Sequence, residues 1–514
     1  MSDKPNILLI LTDQQRWDSL GCYGANWVDT PNLDRLGREG AIFDNCYVNN
    51  PVCTPSRSSL WTGKELPGHG VYKLYDNLPH DEVLFPERLR RAGYYTALYG
   101  KLHTSGRLFE AYHRHPNDGF DEYEWGLEAS IHLDSPFNGY SRWLQAEHPA
   151  FYSELEAKGR ALLHHPQEVH FTHWAAERSI DFIRRRSREG PFFCCMSVFD
   201  PHNPYEDYPL SMLDHVHQDR LPERVADPRR DRPRATERER AHSYLGSFED
   251  MSDEDIHSMR LGYYASIALI DIEVGRVLDT LEEQGVSEDT LVIFASDHGD
   301  MTGDHDLVVK GAYFYDACTK VPFLLRWPAR LAGGTRVDAL VQPHDVARTV
   351  LEAAGAADEK AKDSMPTSAD LLPLARGEIE AVHEYVVCPY RNSGISDDKQ
   401  PWDPPIYGTM VHDGRYKLSV YHDESGRPVD GGSGRLADAR RPASDTEGEL
   451  YDMKADPAEM NDLFRREEAA DARQRLTNML VDWLFRHERA GLGTRGGEQI
   501  PGAADRLDNR LKST

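Results

Sequence analysis

Two short apolar runs in this chain each lead into an acid with a polar neighbour. Asn6–Leu11 leads to Asp13-Gln14, and Leu291–Ala295 leads to Asp297-His298 within Ser296-Asp297-His298-Gly299-Asp300. Carboxylates gathered at strand ends repel one another unless a cation lies between them, so Asp13, Gln14, Asp297 and His298 read as candidate ligands of a divalent ion. Such an ion would lower the pKa of an oxygen nucleophile and hold one oxygen of a substrate. Without that chemistry the same residues are helix caps or turn formers.

A second group is Cys53-Thr54-Pro55-Ser56-Arg57. Thr54 is expected to cap a helix that begins with Pro55. Residue 53 then sits against the positive end of a helix dipole, a good place for an anion. Arg57, in the same helix, is expected to reach back toward residue 53. An arbitrary cysteine in such a chain is a small buried hydrophobe, and only its context argues otherwise. Lys101 and His103 alternate by two and so share one side of an extended segment. His202, in Asp200-Pro201-His202-Asn203-Pro204, and Lys310, before Gly311, complete the polar set. Among 23 histidines none is notable without a motif around it, so His69, His305 and His344 are taken as structural.

The elements that must position these groups are legible. The runs Asn6–Leu11, Tyr94–Tyr99, Phe192–Phe199 and Leu291–Ala295 read as buried strands, each followed by polar residues of catalytic type. Helical patterns lie between them at Pro86–Ala92, His173–Arg186 and Asp253–Gln284. This alternation predicts an α/β fold, a mainly parallel mixed sheet sandwiched by helices, with ligands bound beyond the carboxyl ends of the strands. From about Asp219 to Arg240 the chain is rich in arginine, acid and proline. That stretch reads as a surface insertion, either a solvated loop or a lid or subunit contact. After residue 377 the pattern changes to short alternating strands at Tyr385–Cys388, Tyr407–His412 and Tyr416–Tyr421, then a loop His422–Gly448, a helix from about Glu467 to Glu488 and a Gly-rich tail. A division into 1–377 and 378–514, the second with a smaller antiparallel sheet, follows.

With 514 residues and 39% hydrophobic content, the chain is long enough for a large core and a companion domain. The formal charge of -27 argues against nucleic acid and anionic membranes as partners, so an anionic substrate must meet a locally basic pocket. The seven cysteines are dispersed and odd in number, which argues against a disulfide framework and for buried thiols at all but Cys53. The run Ile7–Leu11 lacks the length and flanks of a secretion signal or membrane span, so a cytoplasmic location is expected. Self-association as a homo-oligomer, a dimer in the simplest case, is the default.

Taken together, Asn50–Gly63 around the Cys-Thr-Pro-Ser-Arg stretch, Asp13, Ser296–Asp300, and the closing segments Asp413–Lys417 and Glu449–Asp452 resemble, in order, the motifs of the type I sulfatase family in the alkaline-phosphatase-like superfamily. The resemblance runs from Pro5 to Asp452. It implies that a formylglycine-generating enzyme oxidises Cys53 to formylglycine, whose aldehyde hydrates to a diol. One hydroxyl attacks sulfur, and the other, once deprotonated, collapses the sulfated hemiacetal and releases sulfate. It further implies that Arg57, Lys101 and Lys310 surround the sulfate, that His103 is the base for the collapse, and that His202 serves the leaving oxygen.

One divalent cation is implied beside residue 53, held by Asp13, Gln14, Asp297, His298 and the residue derived from Cys53. Gln14 stands where the commonest family pattern has a second aspartate, and His298 where an asparagine is frequent. The less purely hard donor set makes manganese the alternative to calcium. The substrate implied is a small-molecule sulfate ester. The rival reading keeps the site but hydrolyses a phosphonate monoester or phosphodiester, and a third makes the chain a non-catalytic binding protein on the same scaffold. The leaving group is unread. Loops at Tyr112–Tyr140, Asp219–Arg240 and Tyr390–Trp402 would choose it, and their aromatics either stack on a ring or simply pack.

Overall fold

The fold is described from a computed structural model covering residues 4–227, 229, 232–243, 245–393, 405–421 and 447–493. The loop 422–446, the tail from 494 and residues 394–404 lie outside the described residues. The four apolar runs form β1 (Asn6–Thr12), β3 (Tyr95–Gly100), β5 (Phe192–Ser197) and β6 (Thr290–Ser296). They are neighbours in the order β3-β5-β1-β6, all parallel. β4 (Glu122–Trp125) extends this parallel block beyond β3. On the other side β8 (Phe323–Arg326), β2 (Ala41–Tyr47) and β7 (Lys320–Val321) add antiparallel pairings, and β9 (Thr335–Val341) pairs with β2 in parallel.

Both faces of the central strands are buried, which is why their sequences are continuously apolar rather than alternating. Along β1, Ile7, Leu9 and Leu11 enter one core and Leu8 and Ile10 the other. The first core is covered by the helices Cys53–Thr62, Phe85–Arg91 and Asp345–Ala353, the second by Pro31–Glu39, Phe171–Arg186 and Asp253–Glu283. Each buried Leu, Ile or Phe contributes about 1.5–3 kcal/mol of burial energy. Cys194 and Cys195 point into opposite cores, and all seven cysteines are free. Cys22 departs from the expectation of burial and is half-exposed.

The second sheet is antiparallel, β10 (Val386–Arg391), β11 (Tyr407–His412), β12 (Tyr416–Tyr421) and β13 (Glu447–Asp452) in that order. Val386, Cys388, Tyr390 and Met410 close the first core, while Val387, Val411, Leu418 and Leu450 pack under the helix Ala470–Gly493. No helix among the described residues is long and apolar enough to cross a membrane.

The arginine-rich stretch is not the solvated loop that its composition favours. Arg229 and Arg232 pair with the buried Asp227 at 2.6 and 3.1 Å, Arg232 also reaches Asp306 at 2.7 Å, and Arg229 meets Tyr451 of β13 at 2.6 Å. Glu239, in the helix Arg234–Ala241, accepts from the amide of Ala312 at 2.8 Å. Mutual neutralisation lets a segment with few apolar residues pack, and it packs against the loop that carries Lys310.

Candidate active site

The site lies at the carboxyl ends of β1, β3, β5 and β6. Asp13 follows β1 and Asp297 follows β6, whose last residues pair as Thr12 with Ser296, so register alone sets the two acids side by side. Both are fully buried. The helix carrying residue 53 begins at Cys53 itself, with Val52 as its cap and no side-chain capping bond. Asn50 accepts from the Val52 amide at 2.9 Å. Thr54 is therefore not the cap. Its hydroxyl donates to the Leu74 carbonyl at 3.0 Å and accepts from His103 Nε2 at 3.1 Å. Residue 53 still stands in the first turn, against free amide groups.

The donor atoms of Asp13, Cys53, Asp297 and His298 all lie within 4.8 Å of one another. Cys53 Sγ is 3.0 Å from His298 Nε2 and 3.6 Å from Asp13 Oδ1. His298 Nδ1 donates to the Gly299 carbonyl at 2.9 Å, which leaves Nε2 with a lone pair facing the acids. Two buried carboxylates and an imidazole lone pair in this volume are a donor set suited to a divalent cation. Gln14 adopts φ 70, and its amide is pinned. Nε2 donates to Asp300 Oδ2 at 2.6 Å, and Oε1 accepts from Lys310 at 2.7 Å. A carboxylate cannot donate, so the oxygen must face the site.

Arg57 departs from the expectation of an arginine reaching toward residue 53. It is fully buried, its Nε donates to Asp297 Oδ2 at 2.6 Å, and its other nitrogens bond the Lys101 carbonyl, Ser197 Oγ and the Thr12 carbonyl. The planar fork is spent on holding strand ends and an acid. Lys101 donates to Asp13 Oδ2. Lys101 and His103 reach the site, but not from an extended segment. Gly100 has φ 113, and a Cβ there would stand 1.8 Å from the Ser197 carbonyl oxygen, so only glycine can make this exit from β3. His103 has φ 58, a left-handed turn held by Glu110, which accepts from the amides of His103 and Thr104 at 2.8 and 2.9 Å.

His103 donates through Nε2 to Thr54, so its Nδ1 carries a lone pair, and that buried atom has no protein partner. His202 Nδ1 bonds the Asn203 carbonyl at 2.5 Å, and its Nε2 accepts from Lys310 Nζ at 2.6 Å. His202 and Lys310 are half-buried, whereas the other site residues are buried. They line the mouth.

Burial alone would raise Asp13, yet Lys101, His202, Arg57 and Lys310 outweigh it and hold the carboxyl well below its usual range. Burial pushes His103 and His202 well below the ordinary imidazole value, reinforced by Lys101 and Lys310 respectively, and brings His298 to about 4. Burial, then Asp13, pushes the Cys53 thiol up to about 11. Against a chain charge of -27, the pocket gathers Arg57, Lys101 and Lys310.

Sequence reasoning missed Asp300, Tyr205 and Glu110. Tyr205 donates to Asp300 Oδ2 at 2.6 Å and so helps aim Gln14. Asp300 closes the Ser296–Asp300 motif, a signal that could have found it; Glu110 and Tyr205 had none. His69, His305 and His344 stand outside the site. His69 bonds Ser59 at 2.9 Å, His305 stacks on Tyr315 with ring centroids 3.9 Å apart, and His344 bonds Asn49 at 3.0 Å. In Tyr112–Tyr140 the described aromatics pack on one another, as Tyr123 does on Phe137 and Phe120.

A family profile described as Sulfatase matches residues 5–356. The chain is 31% identical over 363 residues to an arylsulfatase of Clostridium perfringens, covering 68% of this chain and 74% of that protein. It is 25% identical over 540 residues to an N-acetylglucosamine-6-O-sulfatase of Bacteroides thetaiotaomicron, covering 93% and 86%. In fold it is similar to a phosphonate monoester hydrolase of Agrobacterium radiobacter, with TM-score 0.73 and 22% identity over 94% of this chain and 96% of that one. It is also similar to a 2-O GAG sulfatase, with TM-score 0.69 and 23% identity over 94% and 93%.

Proposed function

The chain belongs to the sulfatase family, and from that premise we propose that it hydrolyses a small-molecule sulfate ester at the site around residue 53, matured from cysteine to formylglycine. The observation that carries this reading is the convergence of Cys53, Asp13, Asp297 and His298 within 4.8 Å, roofed by Lys101, Lys310, His103 and His202.

Asp13, Asp297 and His298, with Gln14 Oε1 and the residue-53 oxygen, would hold one divalent cation, calcium or manganese. When bound, the cation supplies positive charge that draws a substrate oxygen and favours an ionised hydroxyl at residue 53. Lys101 and Lys310 bind and neutralise the sulfate oxygens. Arg57 fixes Asp297 and the ends of β1 and β3, so it acts as a positioning residue. One diol hydroxyl of residue 53 attacks sulfur as the ester S–O bond breaks. The Lys310–His202 pair meets the leaving oxygen at the mouth, where the lysine holds the proton that the neutral imidazole lacks. The Nδ1 lone pair of His103 takes the proton of the second hydroxyl, the C–O bond to sulfate breaks, and the aldehyde returns.

The test is kcat/KM for an aryl sulfate against matched aryl phosphonate and phosphodiester substrates, using protein whose Cys53 conversion and metal content are measured. Cys53→Ala is the control and is expected to lose activity by at least about 10⁴-fold with the fold intact. Chelation is expected to abolish turnover, and calcium or manganese to restore it. Preference for phosphorus would make the phosphonate or diester reading primary. Substantial hydrolysis by purified Cys53→Ala would sink the mechanism.

A further inference from the structure

About the loop that carries His202 lies a second cluster that the chemistry above does not use. His165, His170 and Asp207 are 3%, 1% and 9% exposed, and their donor atoms lie within 4.8 Å of one another. Three buried atoms here, His165 Nδ1, His170 Nε2 and Asp207 Oδ1, have no partner in good hydrogen-bonding geometry, and His170 stands beside the Asp207 backbone carbonyl. A buried polar atom left unpaired costs about 1–3 kcal/mol, so three together at one point call for a ligand.

The backbone holds the cluster firmly. The amides of His164 and His165 donate to the carbonyls of Glu206 and Asp207 at 2.8 and 2.9 Å, and His170 is the N-cap of the helix Phe171–Arg186. His165 Nε2 donates to the Leu162 carbonyl at 3.1 Å, which fixes the tautomer and leaves Nδ1 with a lone pair. That is the outer bond a metal-bound histidine makes. A cavity lined by Glu128, Arg160, Leu163, Phe199 and Pro204 opens beside His165 and Asp207 and gives an entry path.

We propose that His165 Nδ1, His170 Nε2 and Asp207 Oδ1 bind a second divalent transition-metal ion, Zn²⁺ by their donor chemistry, with solvent from the cavity as a fourth ligand. Two imidazoles and one carboxylate are a zinc-type set, unlike the oxygen-rich group at Asp13 and Asp297. The lone pair of His165 Nδ1 is free for ligation, whereas that of His170 sits on Nδ1, where it accepts from the Thr172 amide. Asp207 ligates through its carboxylate.

One rearrangement is required. His170 Nδ1 accepts from the Thr172 amide at 3.2 Å, so the ring proton now sits on Nε2. Ligation moves that proton to Nδ1, which gives up the bond from the Thr172 amide and lies 3.8 Å from Asp200 Oδ2, an oxygen that also accepts from the Thr172 hydroxyl. Asp200 also accepts the Asp13 amide on its backbone carbonyl at 3.2 Å. The ion would thus clamp the Asp200–Tyr208 loop, with His202 on it, to the start of the helix.

The full-length chain is stripped with a chelator, re-equilibrated with excess Zn²⁺, desalted and assayed for metal by mass spectrometry. Wild type is expected to keep one zinc per chain more than Asp207→Asn or His165→Gln, and its Tm to rise with Zn²⁺ where theirs does not. Co²⁺ is expected to give a visible absorption band lost in the same variants. Equal zinc in wild type and a folded Asp207→Asn, or a cobalt band unchanged by it, would overturn the assignment. Should His165→Gln fail to fold, Asp207→Asn decides alone. The readout is a difference between proteins with the same Asp13 and Asp297, so it does not depend on the sulfatase reading.

Discussion

Lys310 Nζ lies 2.6 Å from His202 Nε2, and these are the two half-buried members of an otherwise buried site. Because the ammonium donates to Nε2, His202 carries its own proton on Nδ1, spent on the Asn203 carbonyl. The pair rather than the imidazole is the unit that faces a leaving oxygen.

Lys310→Ala and His202→Gln are each expected to lower kcat/KM by about 10²–10⁴-fold. The double variant should fall well short of the product of the two losses, because each change already disables the shared hydrogen bond. Steady-state kinetics of all four proteins check this; multiplicative losses would mean that the residues act separately.

Gln14 is matched to Asp300, whose Oδ2 accepts its Nε2 at 2.6 Å. Gln14→Glu sets two carboxylates in that space and is expected to cost about 1–3 kcal/mol in chemical denaturation. Asp300→Asn in the same chain restores a donor and should recover most of the loss. Metal retention, measured alongside, is expected to follow the same order.

Arg57 supports two acids and three strand ends without facing solvent. Arg57→Leu leaves Asp297 buried and unpaired, and a loss of about 3–5 kcal/mol is expected by denaturant titration. Arg57→Lys keeps the charge but cannot make the bonds of a planar fork, so it should recover only part. A stability equal to wild type in Arg57→Leu would show that the contact has no structural weight.

Glu65 ties the helix Ala470–Gly493 to the main body. It accepts from Trp483 Nε1 at 2.6 Å and lies 3.1 Å from His487. Burial would raise its carboxyl, but His487, His344 and Trp483 bring it down to about 2. The folded value is below the unfolded one, so this stabilisation is present above about pH 4.5 and is lost as pH falls toward 2. Between pH 6 and 3, wild type should lose about 2–3 kcal/mol more than Glu65→Gln. Parallel pH profiles would rule the tether out.

Much of the site was legible because a parallel α/β sheet has only one place for its strand-end loops. Once Asn6–Leu11, Phe192–Phe199 and Leu291–Ala295 read as buried strands, Asp13, His202 and Asp297 had to meet beyond their carboxyl ends. The arginine-rich stretch misled for the opposite reason. Composition reports what a segment would do alone, and Asp306 and Glu449 are partners that become available only in the folded chain.

The sequence by itself determined which groups assemble, since the buried strands follow from local pattern and backbone physics, whereas the helix that local pattern starts at Pro55 begins two residues earlier, at Cys53. Which atom faces which was decided by the tertiary structure alone. His202 and Lys310 are 108 residues apart, and Gln14 and Asp300 are 286 apart. The direction of Arg57 depends on the ends of β1, β3 and β5, which no periodicity in its own helix records. Hydrogen-bond partners are fixed by the crossing of distant segments, which brings these buried donors their acceptors.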